Sequence, residues 1–188
     1  MSGAFFFGYG SLVNQGTHHF APLHHASAHG WRRAWRYTGT RKVAYLTAVR
    51  DPGCTIHGMI AHVPADDWQA LDHREAAYDR LGAAVDITHD APGVAELAMY
   101  AIAPERMHLP TAAHPLLLSY LDVVVQGYLA EYGAGGAAHF FATTIGWEAP
   151  ILDDRAAPLY PRAQRLGDAE RAVVDHGLAA MGCRKIAA

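Results

Sequence analysis

The hydrophobic pattern opens on a block that stops abruptly, with Phe5-Phe6-Phe7 running into Gly8-Tyr9-Gly10-Ser11-Leu12. Three consecutive phenylalanines predict a strand covered on both faces. The two glycines predict a tight loop whose N–H groups can approach an anion without a Cβ in the way. From 13 to 28 the pattern is broken by Asn14, Gly16 and Pro22, which predicts a loop with one helical turn beside the glycine loop. Past Gly30, the residues Trp31, Arg33, Trp35 and Tyr37 alternate with Arg32, Ala34 and Arg36, the two-residue period of a strand. The arginines are expected on its solvated face, the alternative being contact with a carboxylate substrate. Residues 42–49 and 55–63 are β-rich and flank Arg50-Asp51-Pro52-Gly53, so a hairpin is expected. Gly58 inside the second run points to a bulge or a close backbone contact.

The period then changes. Pro64-Ala65-Asp66-Asp67 is an acidic opening suited to a helix N-terminus. Trp68, Leu71, Asp72 and Glu75 follow at i, i+3, i+4 and i+7, so a continuing helix would carry a carboxylate toward the apolar interior. The competing expectation is a surface Glu75 paired with Arg74 or Arg80. Residues 82–88 and 94–103 again predict strands, joined by a hairpin turn through Asp90, Pro92 and Gly93, which makes about six strands. After Pro115, Leu116, Tyr120, Val124, Tyr128 and Tyr132 recur every four residues. They predict a helix ending near Gly133, with its tyrosine stripe in the core. The prolines from Pro150 to Pro161 exclude a regular helix or central strand there, leaving an ordered coat segment. Asp168 is expected to cap a last helix reaching Met181, with Ala172, Val173, His176 and Ala180 on one face.

Composition narrows the class. A chain of 188 residues is expected to form a single domain, 1–188, with 112–188 a mainly helical and irregular C-terminal extension. A net charge of -3 with half the residues apolar argues against disorder and against a nucleic-acid partner. Two widely separated cysteines, Cys54 and Cys183, form no metal or disulfide pattern, so a reduced cytoplasmic setting is expected. No apolar run approaches the roughly 18 residues of a membrane helix, and the first residues lack a basic n-region followed by a cleavage site, so an unprocessed protein without membrane association is expected. The histidines His18, His19, His24, His25 and His29 crowd one segment without HExxH or other regular spacing; they are expected on a surface loop rather than at a metal.

Common site motifs do not fit the letters. A dinucleotide fingerprint would need glycine at Val13, and a nucleophile elbow would need serine at Gly10 and glycine at Leu12. The Gly-Lys-Ser/Thr of a P-loop is missing. What remains is a donor-rich loop and one carboxylate on an apolar face, suited to a reaction whose nucleophile comes from the substrate.

In two separated places, and in the right order, the chain resembles the γ-glutamylcyclotransferase-like superfamily. Tyr9-Gly10-Ser11-Leu12 is similar to the family's substrate-binding signature. Leu71-Asp72-His73-Arg74-Glu75-Ala76-Ala77-Tyr78-Asp79-Arg80 is similar to the segment holding its catalytic glutamate, with Glu75 at the matching position. The C-terminal third is more similar to bacterial members of unassigned activity than to the glutathione-specific ChaC branch.

The resemblance implies an α+β fold, a small mixed and mostly closed β-barrel of about six strands with helices packed outside. It implies conversion of a γ-glutamyl amine or γ-glutamyl amino acid to 5-oxoproline, with intact glutathione not preferred. Glu75 would be the general base and acid, its pKa raised by burial beside Trp68 and Leu71. Tyr9, Gly10, Ser11, Leu12 and Tyr78 would bind substrate. No cofactor and no metal are expected, and the only partner expected is the small γ-glutamyl substrate, the oligomeric state being open. Arg155 and Arg162 are expected in surface salt bridges, with closure over the substrate's far end as the alternative. A non-catalytic ligand-binding module of the same fold is the competing function.

Overall fold

The computed structural model describes residues 2–39 and 42–187. In chain order its elements are β1 (Gly3–Gly8), β2 (Leu23–Arg36), β3 (Tyr45–His62), α1 (Trp68–Arg74), β4 (Asp79–Gly82), β5 (Ile87–His89), β6 (Val94–Ala101), β7 (Leu116–Leu117), α2 (Leu118–Ala142), β8 (Thr144–Ile145), β9 (Ile151–Asp153), α3 (Asp168–Ala180) and β10 (Lys185–Ala187). Six strands run in the order β4-β6-β1-β3-β2-β5 and curl into a half-barrel, with the short β8 joined to β2. β7, β9 and β10 form a small parallel sheet. The α+β class with a six-strand sheet and helices outside is the one expected.

The phenylalanine block is the central strand, antiparallel to β3 and parallel to β6. Its alternation feeds two cores: Phe6 packs with Leu12, Leu71 and Tyr100, whereas Phe5 and Phe7 pack with Ile56, Ile60 and Met99. Each such side chain contributes roughly 1.5–3 kcal/mol by leaving water. Because both faces of β1 are covered, the loop at its C-terminal end starts from a fixed point. A third core joins α2 to α3 through Tyr128, Phe140, Trp147, Val174 and Leu178.

Several local expectations are corrected. Residues 42–63 hold no hairpin: β3 is one 18-residue strand that pairs with β2 along both halves. The register jumps from His29↔Thr55 to Trp31↔Arg50, so the Pro52-Gly53 stretch is spent on a bulge opposite Gly30 rather than on reversing the chain. β2 in turn begins at Leu23, which puts His24, His25 and His29 on a strand; two 3₁₀ turns, Ser11–Val13 and Gln15–Thr17, lie between β1 and β2. β5 and β6 are not a hairpin either, since β5 pairs with β2 while β6 lies between β1 and β4. Gly58 does mark a close backbone contact, where an added Cβ would lie 2.3 Å from the Gly8 carbonyl oxygen. α2 breaks at Gly133 (φ 65°), as the pattern predicted, but then resumes to Ala142.

The proline-rich coat is held by one carboxylate. Asp154 is buried and accepts from the Ser119 N–H (2.8 Å), the Ser119 hydroxyl (2.5 Å) and the Leu159 N–H (2.9 Å). It ties residues 155–162 to the first turn of α2. No helix among the described residues is long and apolar enough to cross a membrane.

Candidate active site

The glycine loop leaves β1 and turns directly into the 3₁₀ turn at Ser11–Val13, with the Val13 N–H bonded to the Gly10 carbonyl (3.0 Å) and the Asn14 N–H to the Ser11 carbonyl (3.1 Å). The carbonyls are thereby committed, and among the described residues no acceptor in the chain meets the N–H of Gly10 or Leu12. The Ser11 N–H faces the Tyr120 hydroxyl. Glycine fits closely at position 10: a Cβ there would come within 2.7 Å of that hydroxyl and 3.3 Å of Leu46 Cδ2, so the Tyr120 ring would have to shift. Asn14 anchors the loop to α2 through its amide, which donates to the Val123 carbonyl (2.9 Å).

Glu75 reaches the same place from the other side. α1 stops at Arg74, and Glu75 caps it with φ -97° and ψ 26° while its N–H still bonds the Leu71 carbonyl. The helix thus ends on Glu75 rather than continuing through it, and the Glu75 carboxyl is carried inward. There it lines the recess with Leu46, Tyr78 and Tyr120. The pairing with Arg74 foreseen for an exposed glutamate exists, Nε to Oε1 at 3.0 Å, but both side chains are largely buried, at 10% and 15% exposure. Burial raises the Glu75 pKa above the ordinary carboxylate value, and the nearby Arg74 and Arg162 charges offset only part of that. Arg74 also donates to the Thr17 carbonyl (2.8 Å) and approaches the Ser11 hydroxyl (3.4 Å), so one guanidinium links the carboxylate to the loop segment.

Two adjoining spaces share these residues. A narrow recess of about 30 Å³ lies between residues 7–12, Glu75, Tyr78, Tyr100 and Tyr120, room for about one oxygen-sized group. It adjoins an open pocket of about 510 Å³ that shares Ser11, Leu46, Glu75, Tyr78 and Tyr120 and extends to Tyr45, His73, Tyr160 and Arg162. A larger cleft of about 710 Å³ runs along β4 and β6, but it contains neither the loop nor Glu75. Chemistry rather than size therefore selects the 510 Å³ pocket.

Among the residues expected to bind substrate, Gly10 and Ser11 border the recess with Glu75 opposite. Tyr78 lines both spaces, and its hydroxyl donates to the Leu46 carbonyl (2.9 Å), fixing the ring as a wall. Tyr9 and Leu12 touch the recess but serve the core. The Tyr9 hydroxyl donates to the Tyr100 carbonyl (2.5 Å) and accepts from the Ala48 N–H (3.1 Å), while the Leu12 side chain packs on Phe6.

Arg155 lies away from the pocket. It binds Asp122 through Nε and Nη2 (2.8 and 2.7 Å) and Asp175 through Nη1 (3.0 Å), clamping the coat to α2 and α3. Arg162 lines the pocket and makes no ion pair among the described residues, unlike the surface salt bridge expected of it.

Two pocket residues, and a third that lines neither space but lies beneath the loop, escaped the sequence reading. Tyr120 sits on a four-residue apolar period and so reads as core; only its place on the first turn of α2 sets it apart. Arg74 reads as a generic charge although it directly precedes Glu75. The third, Arg33, reads as a solvated strand arginine but is fully buried beneath the loop. The crowded histidines gather no metal set: among the described residues no group of three or more His, Cys, Asp or Glu could hold an ion.

Comparison with known families decides the lineage. The model of the family described as "Gamma-glutamyl cyclotransferase, AIG2-like" matches residues 6–121, more than half of the chain and both parts of the site. The chain belongs to this gamma-glutamyl cyclotransferase family. Solved structures agree at the level of fold. A gamma-glutamyl cyclotransferase superposes with a TM-score of 0.56 at 11% identity, covering 92% of this chain and 98% of that one. The uncharacterized human protein loc79017 gives 0.57 at 11% identity with the same coverage. YkqA from Bacillus subtilis gives 0.57 at 15% identity over 76% of this chain and 56% of its own. Comparison with curated proteins gave no match.

Proposed function

We propose that the protein cyclises a γ-glutamyl amine or γ-glutamyl amino acid to 5-oxoproline and releases the free amine, with Glu75 as general base and acid. The observation that carries this reading is the meeting of a buried, pKa-raised carboxylate and an unpaired N–H loop in one recess of about 30 Å³ at the end of an open pocket.

The substrate's own α-amine attacks its γ-carbonyl, so no covalent nucleophile is required of the chain. Holding the glutamyl group folded replaces a bimolecular encounter, and well-oriented intramolecular reactions reach effective molarities on the order of 10⁵ M or more. Glu75 takes a proton from the α-ammonium, the C–N bond of the ring forms, and the oxyanion develops toward the N–H groups of the loop. The old C–N bond then breaks as Glu75 returns a proton to the leaving nitrogen. Overall, the α-nitrogen gives up two protons and the amine leaves as its ammonium form. A raised pKa brings the carboxyl nearer the range useful for such transfer. Arg162 and Tyr160 stand where the leaving group would extend.

The test is incubation with a panel of γ-glutamyl amines, γ-glutamyl amino acids and glutathione, with 5-oxoproline and free amine quantified by mass spectrometry. Equimolar appearance of both supports the reading. Binding of panel members without turnover would establish the binding-module alternative.

A further inference from the structure

Arg33 projects from β2 into the interior directly below the glycine loop and is fully buried. Removing a guanidinium from water costs several kcal/mol unless its donors are met. Among the described residues no carboxylate pairs with it. Every partner is instead a neutral oxygen: Nε donates to the Tyr9 carbonyl (2.9 Å), Nη1 to the Thr143 hydroxyl (2.6 Å), and Nη2 to the His57 carbonyl and the Tyr128 hydroxyl. The Tyr128 hydroxyl lies 2.9 Å from the Tyr9 carbonyl and 2.7 Å from that of His57, and can donate its one proton to either. The guanidinium is further seated over the rings of Tyr128 and Phe140, at 4.8 and 5.4 Å.

The Tyr9 carbonyl and the Gly10 N–H belong to one peptide plane. A cationic donor on the carbonyl draws electron density through the amide and makes the N–H on its far side a stronger donor. That N–H is one the chain leaves unpaired at the recess. We propose that Arg33, with Tyr128, is a positioning residue of the site: it fixes the Tyr9–Gly10 peptide and polarises the Gly10 N–H toward the anion held there. The buried charge has no acid to cancel it, so its field also favours a negative group at the loop. An apolar side chain of similar length could fill the same space but could do neither. This inference rests on the anion-holding role of the loop in the proposed reaction.

The test combines kinetics with a probe of the peptide itself. In ¹⁵N-labelled protein, Tyr128→Phe keeps the ring and removes the hydroxyl, and Arg33→Lys keeps the charge but loses the fork. Both variants are expected to move the Gly10 amide proton upfield and to weaken 5-oxoproline binding. Turnover should fall by roughly tenfold in Tyr128→Phe and about 10²-fold in Arg33→Lys, the scale of a misplaced catalytic donor. The loss should fall on kcat, with KM changing less than about threefold. Two folded variants whose Gly10 amide and turnover match the wild type overturn the proposal. So does lost activity that tracks lost stability while the Gly10 amide stays in place. If the wild type turns over no panel member, the cyclotransferase reading fails on its own, and the Gly10 amide shift still decides this one.

Discussion

Asp154→Ala tests how the proline-rich coat is held over the pocket. The carboxylate is buried and accepts three hydrogen bonds, from the Ser119 N–H, the Ser119 hydroxyl and the Leu159 N–H. Alanine leaves all three donors without that acceptor. A buried donor left unmet costs about 1–3 kcal/mol. The Ser119 hydroxyl can rotate away and the Leu159 N–H is only partly buried, so the sum should be about 3 kcal/mol rather than the full threefold maximum. For a chain of this size that corresponds to a fall in Tm of roughly 6–12 °C. Urea unfolding should show a lower midpoint with an unchanged slope. The same loss should reach the site, because Tyr160 bonds the Ser119 hydroxyl through its N–H (3.2 Å) and its ring meets Tyr120 at 5.0 Å. KM should therefore rise more than kcat falls. Asp154→Asn, which keeps the shape and one acceptor oxygen, should lie between. A loss below about 1 kcal/mol with unchanged KM would refute the reasoning.

Other expectations follow from the same geometry. Gly10→Ala should abolish turnover through the 2.7 Å clash with the Tyr120 hydroxyl, and adding Tyr120→Phe should recover part of it; an alanine variant as active as wild type would show that the loop is not packed as described. Arg162→Gln should shift the acid limb of the kcat/KM profile to higher pH, because the Arg162 charge lowers the Glu75 pKa; a shift to lower pH, or none, would count against their proximity. His139, whose pKa is lowered from 6.5 to about 4 by burial first and then by His57 and Arg33, stays neutral in the fold while the unfolded chain takes a proton. Stability should then decline as pH falls from 6.5 toward 4, and His139→Asn should flatten that slope in urea midpoints measured across the range.

How much was legible depended on whether a signal was local. Phe5-Phe6-Phe7 demanded burial on both faces, and only a central strand supplies it. The four-residue period after Pro115 could only be a helix, and Gly133 did break it. Pairing partners were less accessible: Pro52-Gly53 is as compatible with a bulge as with a turn, and nothing local says that β2 already begins at Leu23, upstream of Gly30, to continue the pairing. The position of Glu75 near the loop came from the family resemblance together with its neighbours; α1 ends at Arg74, yet Glu75 still bonds the Leu71 carbonyl as its cap and its carboxyl is carried inward. Arg33 was misread for a physical reason. Alternation locates a face, and it cannot show that a charge on the inner face will be met by carbonyls from Tyr9 and His57, residues far from it in sequence.

The central claim is that Glu75 moves the protons of a ring closure held by the Gly10–Leu12 loop. It is tested most directly by Glu75→Gln, which keeps shape and hydrogen bonding while removing the base, assayed for 5-oxoproline formation on the best substrate of the γ-glutamyl panel. The account predicts a fall in kcat of about 10²–10⁴-fold, with 5-oxoproline still bound and the fold intact. A Glu75→Gln variant that forms 5-oxoproline as fast as the wild type would contradict it.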